Sequence, residues 1–405
     1  MRLPTHRRGR SRVSLVGQVP RPERSTVATG TGGCAVLLGD SMDMAHALRR
    51  GGARVTVVAD RHAPARFSRH RFGWRLEPSG GDQATVDLLL ELARDEPLPL
   101  FYETDRDLLL VSRCRKALEP HLRMLLPPAE LVEQLVDKAL FRVLAERLSL
   151  RVPESAMVPT SGPLPDPGLG FPVLIKPSVR DRWWDALAQG QKAAVAPDLP
   201  ALRVLLRALS SRYDALLAQR YIPGSASRVE SYHVYVDAAG QVAAEFCGRK
   251  VRTLPVQHGY STAVSISDSE DVLDAGRAAV LALGLVGVAK LDFIRDPAGR
   301  LWLLEVNARF TLWNNLGAAA GVDIPAMVMA DLMGCARPAA TVPQPGTTWC
   351  HIPRDLVAAR QAGVPLGEWL PWARRCSVTT GFHVRDPLPF LVGRLWPRLI
   401  ARVHR

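Results

Sequence analysis

Residues 290–310 contain Asp292, Glu305 and Asn307 at a spacing that could hold a divalent metal ion. Two strands joined by the Asp-Pro-Ala-Gly turn would place Asp292 opposite Glu305. Since side chains alternate between the faces of a strand, Glu305, Asn307 and Arg309 share the face that Asp292 joins. Carboxylate and amide oxygens suit Mg²⁺, which takes one or two carboxylates together with substrate phosphates. We predict a metal site at Asp292, Glu305 and Asn307, with Arg309 beside it to meet negative charge in phosphoryl transfer.

The alternate positions of the second strand are apolar. Trp302, Leu304 and Val306 are therefore expected to face the core. A single acidic residue on a strand is usually solvated or paired with a basic neighbour, and this is the alternative interpretation of the hairpin. Three polar side chains alternating with a strongly apolar face favour the metal site over that alternative.

Two lysines stand where an ammonium group could reach a cleft. Lys138 lies early in a helix predicted over residues 130–150 from its apolar spacing. Lys176 ends an apolar strand predicted over residues 171–176, and a lysine at the mouth of a buried strand can act as a point charge for phosphate. Each lysine alone is more often a surface group. The prediction that both bind phosphate depends on their order along the chain relative to the acidic hairpin.

A strand predicted over residues 216–222 ends in a Pro-Gly turn, and backbone groups at such a hinge can pair with the edge of an adenine ring. The residues concerned are Gln219, Arg220, Tyr221 and Ile222. Glu230, at the start of the following strand, is a candidate acceptor for ribose hydroxyl groups. The alternative for Glu230 is a solvated strand end.

The apolar pattern and the Pro/Gly-rich connections divide the chain into four parts. These are a basic flexible tail at residues 1–32, a Rossmann-like domain at 33–125, a second domain at 126–335, and a C-terminal extension at 336–405. The Rossmann-like part alternates strand and helix, as βαβ units do. It lacks the G-x-G-x-x-G fingerprint and is predicted to bind no dinucleotide. Residues 98–102 and the stretch around 108–111 are expected to extend its sheet.

The order of these features resembles the ATP-grasp superfamily. The strand–helix–strand domain comes first, followed by Lys138 in DKALF, Lys176 in FPVLIKPS, the LLAQRYIPG hinge and the LDFIRDPAGRLWLLEVNAR hairpin. The resemblance covers residues 33 to about 335 and is strongest to bacterial carboxylate–amine ligase-like members. It implies an α/β and α+β architecture, with a Rossmann-like pre-ATP-grasp domain followed by a two-lobed ATP-grasp fold over residues 126–335, whose central lobe would span about 150–220.

The resemblance also implies a cofactor and roles for the candidate residues. The cofactor would be ATP, with its phosphates on the two lysines, its adenine against the hinge backbone and its ribose near Glu230. The acidic residues of the hairpin and Asn307 would hold one or two Mg²⁺ ions, with Mn²⁺ as the alternative metal. Arg309 would stabilise the transition state that leads to an acyl phosphate.

The segment after the second lysine departs from the superfamily pattern. Members commonly carry a glycine-rich loop there, whereas residues 178–190 contain one glycine and the adjacent Trp183 and Trp184. The chemistry of the lid must therefore differ. Arg180 and Arg182 are the candidates to replace the contacts of the loop.

The implied activity is that of an ATP- and Mg²⁺-dependent ligase that activates a carboxylate as an acyl phosphate for attack by an amine or a similar nucleophile. Small-molecule carboxylates and amines are the expected partners. Arg249, Lys250 and Arg252 are candidates for binding the substrate carboxylate or the γ-phosphate, with Arg249 on the opposite strand face from the other two. Two alternatives stay open: a phosphotransferase that stops at a phosphorylated product, and a non-catalytic nucleotide-binding module.

Composition adds expectations about partners and compartment. The chain carries 52 basic and 39 acidic residues, a formal charge of +13. Because the basic residues are spread along the chain, no nucleic-acid partner is expected. Leucine and arginine recur every four positions from residue 391, which would permit weak contact with an anionic membrane surface; packing against the catalytic lobes is the alternative. Six scattered cysteines and no apolar run of about 18 residues predict a cytoplasmic protein without a transmembrane segment. No oligomeric state is predicted.

Overall fold

Three β-sheets organise the chain, and the first is a parallel sheet near the N-terminus. The computed structural model describes residues 33–70, 72–164, 166–188, 191–223, 228–339, 341–382 and 386–395. The first sheet contains β1 (Cys34–Leu38), β2 (Arg54–Ala59), β3 (Gly73–Leu76), β4 (Leu98–Tyr102) and β5 (Leu122–Arg123), with helices α1 (Met42–Arg50), α2 (Asp82–Leu92), α3 (Asp105–Arg113) and α4 (Arg115–Leu118). Its strands run parallel in the order β3-β2-β1-β4-β5. The Rossmann-like domain predicted from the alternation of strands and helices is confirmed.

One predicted strand of this domain is a helix. The stretch around residues 108–111 lies in α3, which begins after Thr104, whose side chain accepts a hydrogen bond from the backbone N–H of Asp107 at 3.1 Å. Leu108 and Val111 lie about one helical turn apart and both are buried. A short apolar run fits a buried helix face as well as a strand, so the pattern alone could not separate the two.

The second sheet is antiparallel and belongs to a small lobe. Its order is β6-β9-β7-β8. The elements that follow the first domain are α5 (Ala129–Val136), α6 (Lys138–Arg147), β6 (Ser155–Pro159), β7 (Val173–Lys176), α7 (Arg182–Leu187), β8 (Ala194–Ala196), α8 (Leu199–Leu209) and β9 (Ala215–Arg220). Trp184 on α7 is 1% exposed and packs in the core of this lobe, and its Nε1 donates to the carbonyl of Gln191 at 3.2 Å. The segment predicted to form the lid is therefore attached to the small lobe through Trp184.

Asp137 divides the helix predicted over residues 130–150 into α5 and α6. Its backbone is extended, and its side chain accepts hydrogen bonds from the first free backbone N–H groups of α6 at 2.7 and 3.1 Å. Such an N-cap supplies partners for donors that have none within the helix. Lys138 is therefore the first residue of a helix.

The third sheet is the largest, with the order β14-β13-β10-β11-β12-β15-β16. Its elements are β10 (Val229–Val236), β11 (Val242–Leu254), β12 (Tyr260–Ser267), α9 (Glu270–Leu283), β13 (Gly287–Arg295), β14 (Leu301–Asn307), α10 (Asn314–Ala319), α11 (Ile324–Met333), β15 (Thr348–His351), α12 (Ile352–Gln361), α13 (Leu366–Arg375), β16 (Val378–Thr380) and α14 (Leu388–Phe390). Together, the parallel domain and the two further sheets form the predicted α/β and α+β architecture.

The acidic hairpin has the predicted register with one irregularity. Asp292 on β13 pairs with Glu305 on β14, but the register shifts at the next residue because Leu304 is an extra residue in β14. Leu303 is consequently buried at 3% exposure, while Leu304 lines a cavity. The expectation that Leu304 faces the core was wrong, because a bulge reverses the alternation of side chains. Val306 is buried as predicted.

The C-terminal residues complete the large sheet. Strand β15 pairs with β12, and β16 pairs with β15, so residues after 336 continue the sheet that begins at β10. Helix α12 follows β15 directly and reaches the cavity through Ala358, and Ala362, directly after the helix, lines the cavity as well. This part of the chain therefore contributes to the same structural unit as the acidic hairpin.

Three predictions concern residues that the structure does not describe in full. The basic tail at residues 1–32 and most of the membrane-contact pattern, from residue 396 onwards, lie outside the described residues, and so does the side chain of Arg182. Within the described ranges, no helix is both long and apolar enough to cross a membrane.

Candidate active site

A cavity of about 500 Å³ lies between the four-stranded and the seven-stranded sheet. Strands β7 and β9 line one side, and β11, β13 and β14 line the other. The sequence-predicted residues at the cavity are Lys138, Lys176, Arg180, Gln219, Arg220, Tyr221, Ile222, Lys250, Arg252, Asp292, Glu305, Asn307 and Arg309. The structure thus brings together the acidic hairpin, both predicted phosphate-binding lysines and the hinge.

Asp292 and Glu305, here called the acidic pair, lie opposite each other on β13 and β14. Asp292 is 1% exposed and contacts the ammonium groups of Lys290 at 2.8 Å and Lys250 at 3.4 Å. Glu305 accepts a hydrogen bond from Lys192 Nζ at 3.0 Å. Burial alone would raise both carboxyl pKa values, but the lysines outweigh it, so the pKa of Glu305 falls to about 2 and that of Asp292 lies well below its usual value. Both carboxylates are therefore ionised at neutral pH, as metal ligands must be.

Asn307 and Arg309 stand at the end of β14 beside the acidic pair. The Arg309 Nη2 group donates to Asn307 Oδ1 at 3.1 Å, and its Nε donates to Asp105 Oδ1 at 2.5 Å. Asp105 opens helix α3 of the Rossmann-like domain and also lines the cavity. The contact between Arg309 and Asp105 holds the guanidinium at the junction between the first domain and the large sheet.

Lys138 and Lys176 approach the cavity from the small-lobe side. Lys176 Nζ donates to Gln219 Oε1 at 2.9 Å. The carbonyl of Ser178 accepts from both the backbone N–H of Lys138 at 3.0 Å and its Nζ at 3.3 Å, which fixes the start of α6 against the end of β7. Burial lowers the pKa of both lysines, and the neighbouring charge of Lys138 contributes to a pKa of about 8 for Lys176. An anion bound in the cavity would therefore stabilise the protonated, charged form of both lysines.

Two candidates lie on the wrong side of the large sheet. Glu230 is 5% exposed and pairs with Arg295 at 2.9 Å and with Arg249 at 3.6 Å. Glu230 and Arg249 face each other across β10 and β11. The adjacent residues of these strands, Val229 and Lys250, line the cavity, so the alternation of side chains turns Glu230 and Arg249 to the other face. Neither of them lines the cavity. The predicted ribose contact of Glu230 and substrate contact of Arg249 are therefore corrected: the two residues form an ion pair on the opposite face.

Two lysines that contact the acidic pair were not predicted. Lys290 precedes Asp292 by two residues on β13, so the alternation used for Glu305 and Asn307 could have identified it. Lys192 lies between α7 and β8 in a segment without periodic pattern, and its partner Glu305 is 113 residues away in sequence. Its backbone N–H donates to the carbonyl of His258 at 3.0 Å, which links the lid segment to the loop before β12. No local signal in the sequence marks Lys192.

Positive charge dominates the cavity wall. Eight lysine and arginine side chains line it against three carboxylates. The basic residues are Lys138, Lys176, Arg180, Lys192, Arg220, Lys250, Arg252 and Arg309. A concave site with this excess of positive charge attracts a polyanionic ligand and raises its local concentration.

No family model matches the chain. A D-alanine–D-alanine ligase from Halorhodospira halophila is 27% identical over 180 residues, which are 42% of this chain and 56% of that ligase. The chain thus matches a little over half the length of this relative. An L-amino acid ligase structure from Bacillus licheniformis is 16% identical with a TM-score of 0.58, over 78% of each chain.

A further solved structure carries a nucleotide. The biotin carboxylase domain of a Hydrogenobacter thermophilus 2-oxoglutarate carboxylase, in complex with MgADP, ADP and bicarbonate, is 16% identical with a TM-score of 0.58, over 78% of this chain and 73% of that chain. At such identities the likeness concerns the fold. The chain has the ATP-grasp fold, with a Rossmann-like domain in front of two lobes that enclose the cavity.

Proposed function

We propose that this protein is an ATP- and Mg²⁺-dependent ligase that activates a small-molecule carboxylate for attack by an amine. One observation carries the proposal. The acidic pair and Asn307 stand on one wall of a cavity whose opposite wall presents Lys138 and Lys176. The proposal is also supported by a ligase of similar sequence, by a ligase of similar fold and by a protein of similar fold that binds MgADP.

The donor set of the acidic pair and Asn307 fits Mg²⁺. Two ionised carboxylates and an amide oxygen are hard ligands, and cross-strand neighbours on one face lie about 4.5–5.5 Å apart at Cβ. The contacts of the acidic pair with three lysine ammonium groups support its assignment as a cation-binding group. When bound there, Mg²⁺ would neutralise charge on the ATP phosphates.

The remaining residues position the nucleotide. Lys138 and Lys176 would contact its phosphates, and the backbone from Gln219 to Ile222 would contact the adenine, because all of them line the same cavity. Arg309 and Lys250 stand next to the acidic pair, where charge develops during phosphoryl transfer. Glu230 and Arg249 have no part in this proposal.

The reaction needs positioning and charge neutralisation more than a general base. The substrate carboxylate oxygen forms a bond to the γ-phosphorus, the bond between that phosphorus and its bridging oxygen breaks, and ADP leaves. The amine nitrogen then attacks the acyl carbon, the carbon–oxygen bond to phosphate breaks, and the amine releases a proton. The products are an amide, ADP and inorganic phosphate.

ADP release tests this proposal in the full chain. Release should require both an acid and an amine, and chelation with EDTA should stop it. Glu305→Ala and Lys176→Ala should each lower turnover at least about 100-fold while the circular dichroism spectrum stays unchanged. Glu91→Ala and Lys116→Ala change exposed residues of α2 and α4 and serve as matched controls. Full turnover in either cavity variant would refute the site, and a stable phosphorylated product formed without amine would indicate a phosphotransferase.

A further inference from the structure

Arg252 on β11 lines the cavity, and the C-terminal part of the chain holds its guanidinium in a fixed orientation. Its Nε donates to the two carboxylate oxygens of Asp355 at 2.9 and 3.1 Å, and its Nη2 donates to Asp355 at 2.7 Å. The Arg252 Cζ atom lies 4.0 Å from the centroid of the Trp372 ring. A two-point ion pair and a stacked indole together leave the guanidinium little rotational freedom.

Asp355 is itself held by other donors. It lies on α12 at 0% exposure and accepts hydrogen bonds from Thr262 Oγ1 at 2.8 Å and from Trp369 Nε1 at 2.8 Å. Strand β12 and helix α13 therefore fix this carboxylate independently of Arg252. The direction of the guanidinium is set by the fold around Asp355.

One edge of Arg252 stays available to the cavity. Among the described residues, the Nη1 group has no hydrogen-bond partner, whereas Nε and Nη2 are both occupied by Asp355. The side chain is 15% exposed, and Arg252 is one of the residues that line the cavity. An arginine with one edge anchored and the other presented to a concave site offers N–H donors to an incoming carboxylate.

The position of Arg252 limits the size of its ligand. Lys250, two residues earlier on the same strand, contacts Asp292 at 3.4 Å. Arg252 and the acidic pair line the same cavity, although the pairing of β11 with β12 is irregular between Lys250 and Arg252. Ala358 of α12 and Ala362, directly after its end, line the cavity as well. Since ATP would share this cavity of about 500 Å³, the ligand at Arg252 must be small.

Basic side chains also gather around Tyr260, another residue of the cavity wall. Three cations surround the ring of Tyr260: Arg180 at 4.9 Å, Lys192 at 5.6 Å and Arg354 at 5.7 Å from its centroid. A cluster of cations around one aromatic ring raises the local positive potential.

We propose that Arg252 anchors a carboxylate group of an amino-acid-sized substrate, at a subsite that the C-terminal segment of the chain builds through Asp355 and Trp372. The role rests on the proposed ligase function. The carboxylate belongs either to the acid that is activated, as its second carboxylate, or to an amino acid that serves as the amine. Both sources present the same chemistry to Arg252.

Binding is measured first, on the full chain, in two separate steps. Titration with MgADP tests the nucleotide site of the proposed function. Saturation-transfer NMR on the MgADP-loaded protein then tests the subsite, with succinate, glutarate and the proteinogenic amino acids as probes. The variants are Arg252→Met, Arg252→Lys and the control Arg249→Met, which removes an arginine from the opposite face of the same strand.

We expect at least one probe to bind the wild type, and its carboxamide to bind much more weakly. Arg252→Met should weaken that probe about 10–100-fold, because a hydrogen bond to a charged group is lost, while MgADP affinity stays within about twofold. Arg252→Lys should recover part of the affinity, and Arg249→Met should match the wild type.

The outcomes separate the two proposals. Failure of MgADP to bind overturns the proposed function. If MgADP binds but no probe does, or if Arg252→Met binds the probe as the wild type does, the anchor proposal is overturned and the proposed function stands. A hydroxylamine trap assigns the source: reduced hydroxamate formation in Arg252→Met indicates the activated acid, and reduced ligation with unchanged hydroxamate formation indicates the amino-acid acceptor.

Discussion

Replacing Lys192 by methionine should strengthen the binding of a bare divalent cation at the acidic pair. Lys192 Nζ lies 3.0 Å from Glu305 Oε1, so the ammonium stands where a metal ligated by Glu305 would meet it. A cation that binds Glu305 must displace this contact and tolerate a like charge beside it. Methionine keeps much of the length of the side chain and removes its charge.

The magnitude follows from the separation and the exposure of the two groups. Two unit charges 3.0 Å apart interact by about 5 kcal/mol at an effective dielectric constant of about 20. Since the side chains are 32% and 31% exposed, solvent screening reduces the usable part to about 1–2 kcal/mol. We therefore expect a gain in cation affinity of about 5–30-fold.

Electron paramagnetic resonance of free Mn²⁺, without nucleotide, measures this affinity directly. Lys116→Met, an exposed lysine of α4, should bind Mn²⁺ as the wild type does. The combined variant Lys192→Met and Glu305→Gln should lose the gain, because the carboxylate that the metal would use is gone. An unchanged or weaker Mn²⁺ affinity in Lys192→Met would show that the acidic pair is not a cation site in competition with Lys192.

Three further outcomes are expected. Because burial and the neighbouring charge of Lys138 hold the pKa of Lys176 near 8, ATP affinity should fall by about tenfold as the pH rises through that value and the ammonium loses its proton; calorimetry should find the fall absent in Lys176→Arg. Asp137→Ala removes the N-cap of α6 and should lower the free energy of unfolding by about 1 kcal/mol and raise the KM for ATP, whereas Asp137→Asn should leave both near wild type. Gly248→Ala would bring a Cβ within 2.6 Å of the Trp313 ring, and urea denaturation should show a loss of about 1–3 kcal/mol; an unchanged midpoint would mean that the ring can move aside.

The local pattern of the chain was sufficient for the acidic hairpin. A short turn fixes the register of the two strands, and side chains alternate with a period of two. The pairing of Asp292 with Glu305 therefore follows from the sequence alone. The bulge at Leu304 could not be derived in this way, because nothing in the alternation of side chains marks where an extra residue enters a strand. The division of the predicted helix at Asp137 carried a local signal, an acidic residue ahead of an apolar stretch.

The sequence by itself determined the Rossmann-like domain and the acidic pair, because periodicity and turns are properties of neighbouring residues, and the two-lobed fold followed from the resemblance to the ATP-grasp superfamily. Only the tertiary structure decided which face of the large sheet meets the cavity, and it removed Glu230 and Arg249 from the site. The contact of Lys192 with Glu305 and that of Arg252 with Asp355 span 113 and 103 residues. Such contacts depend on how the lobes and the C-terminal strands pack against one another, and no spacing along the chain encodes that packing.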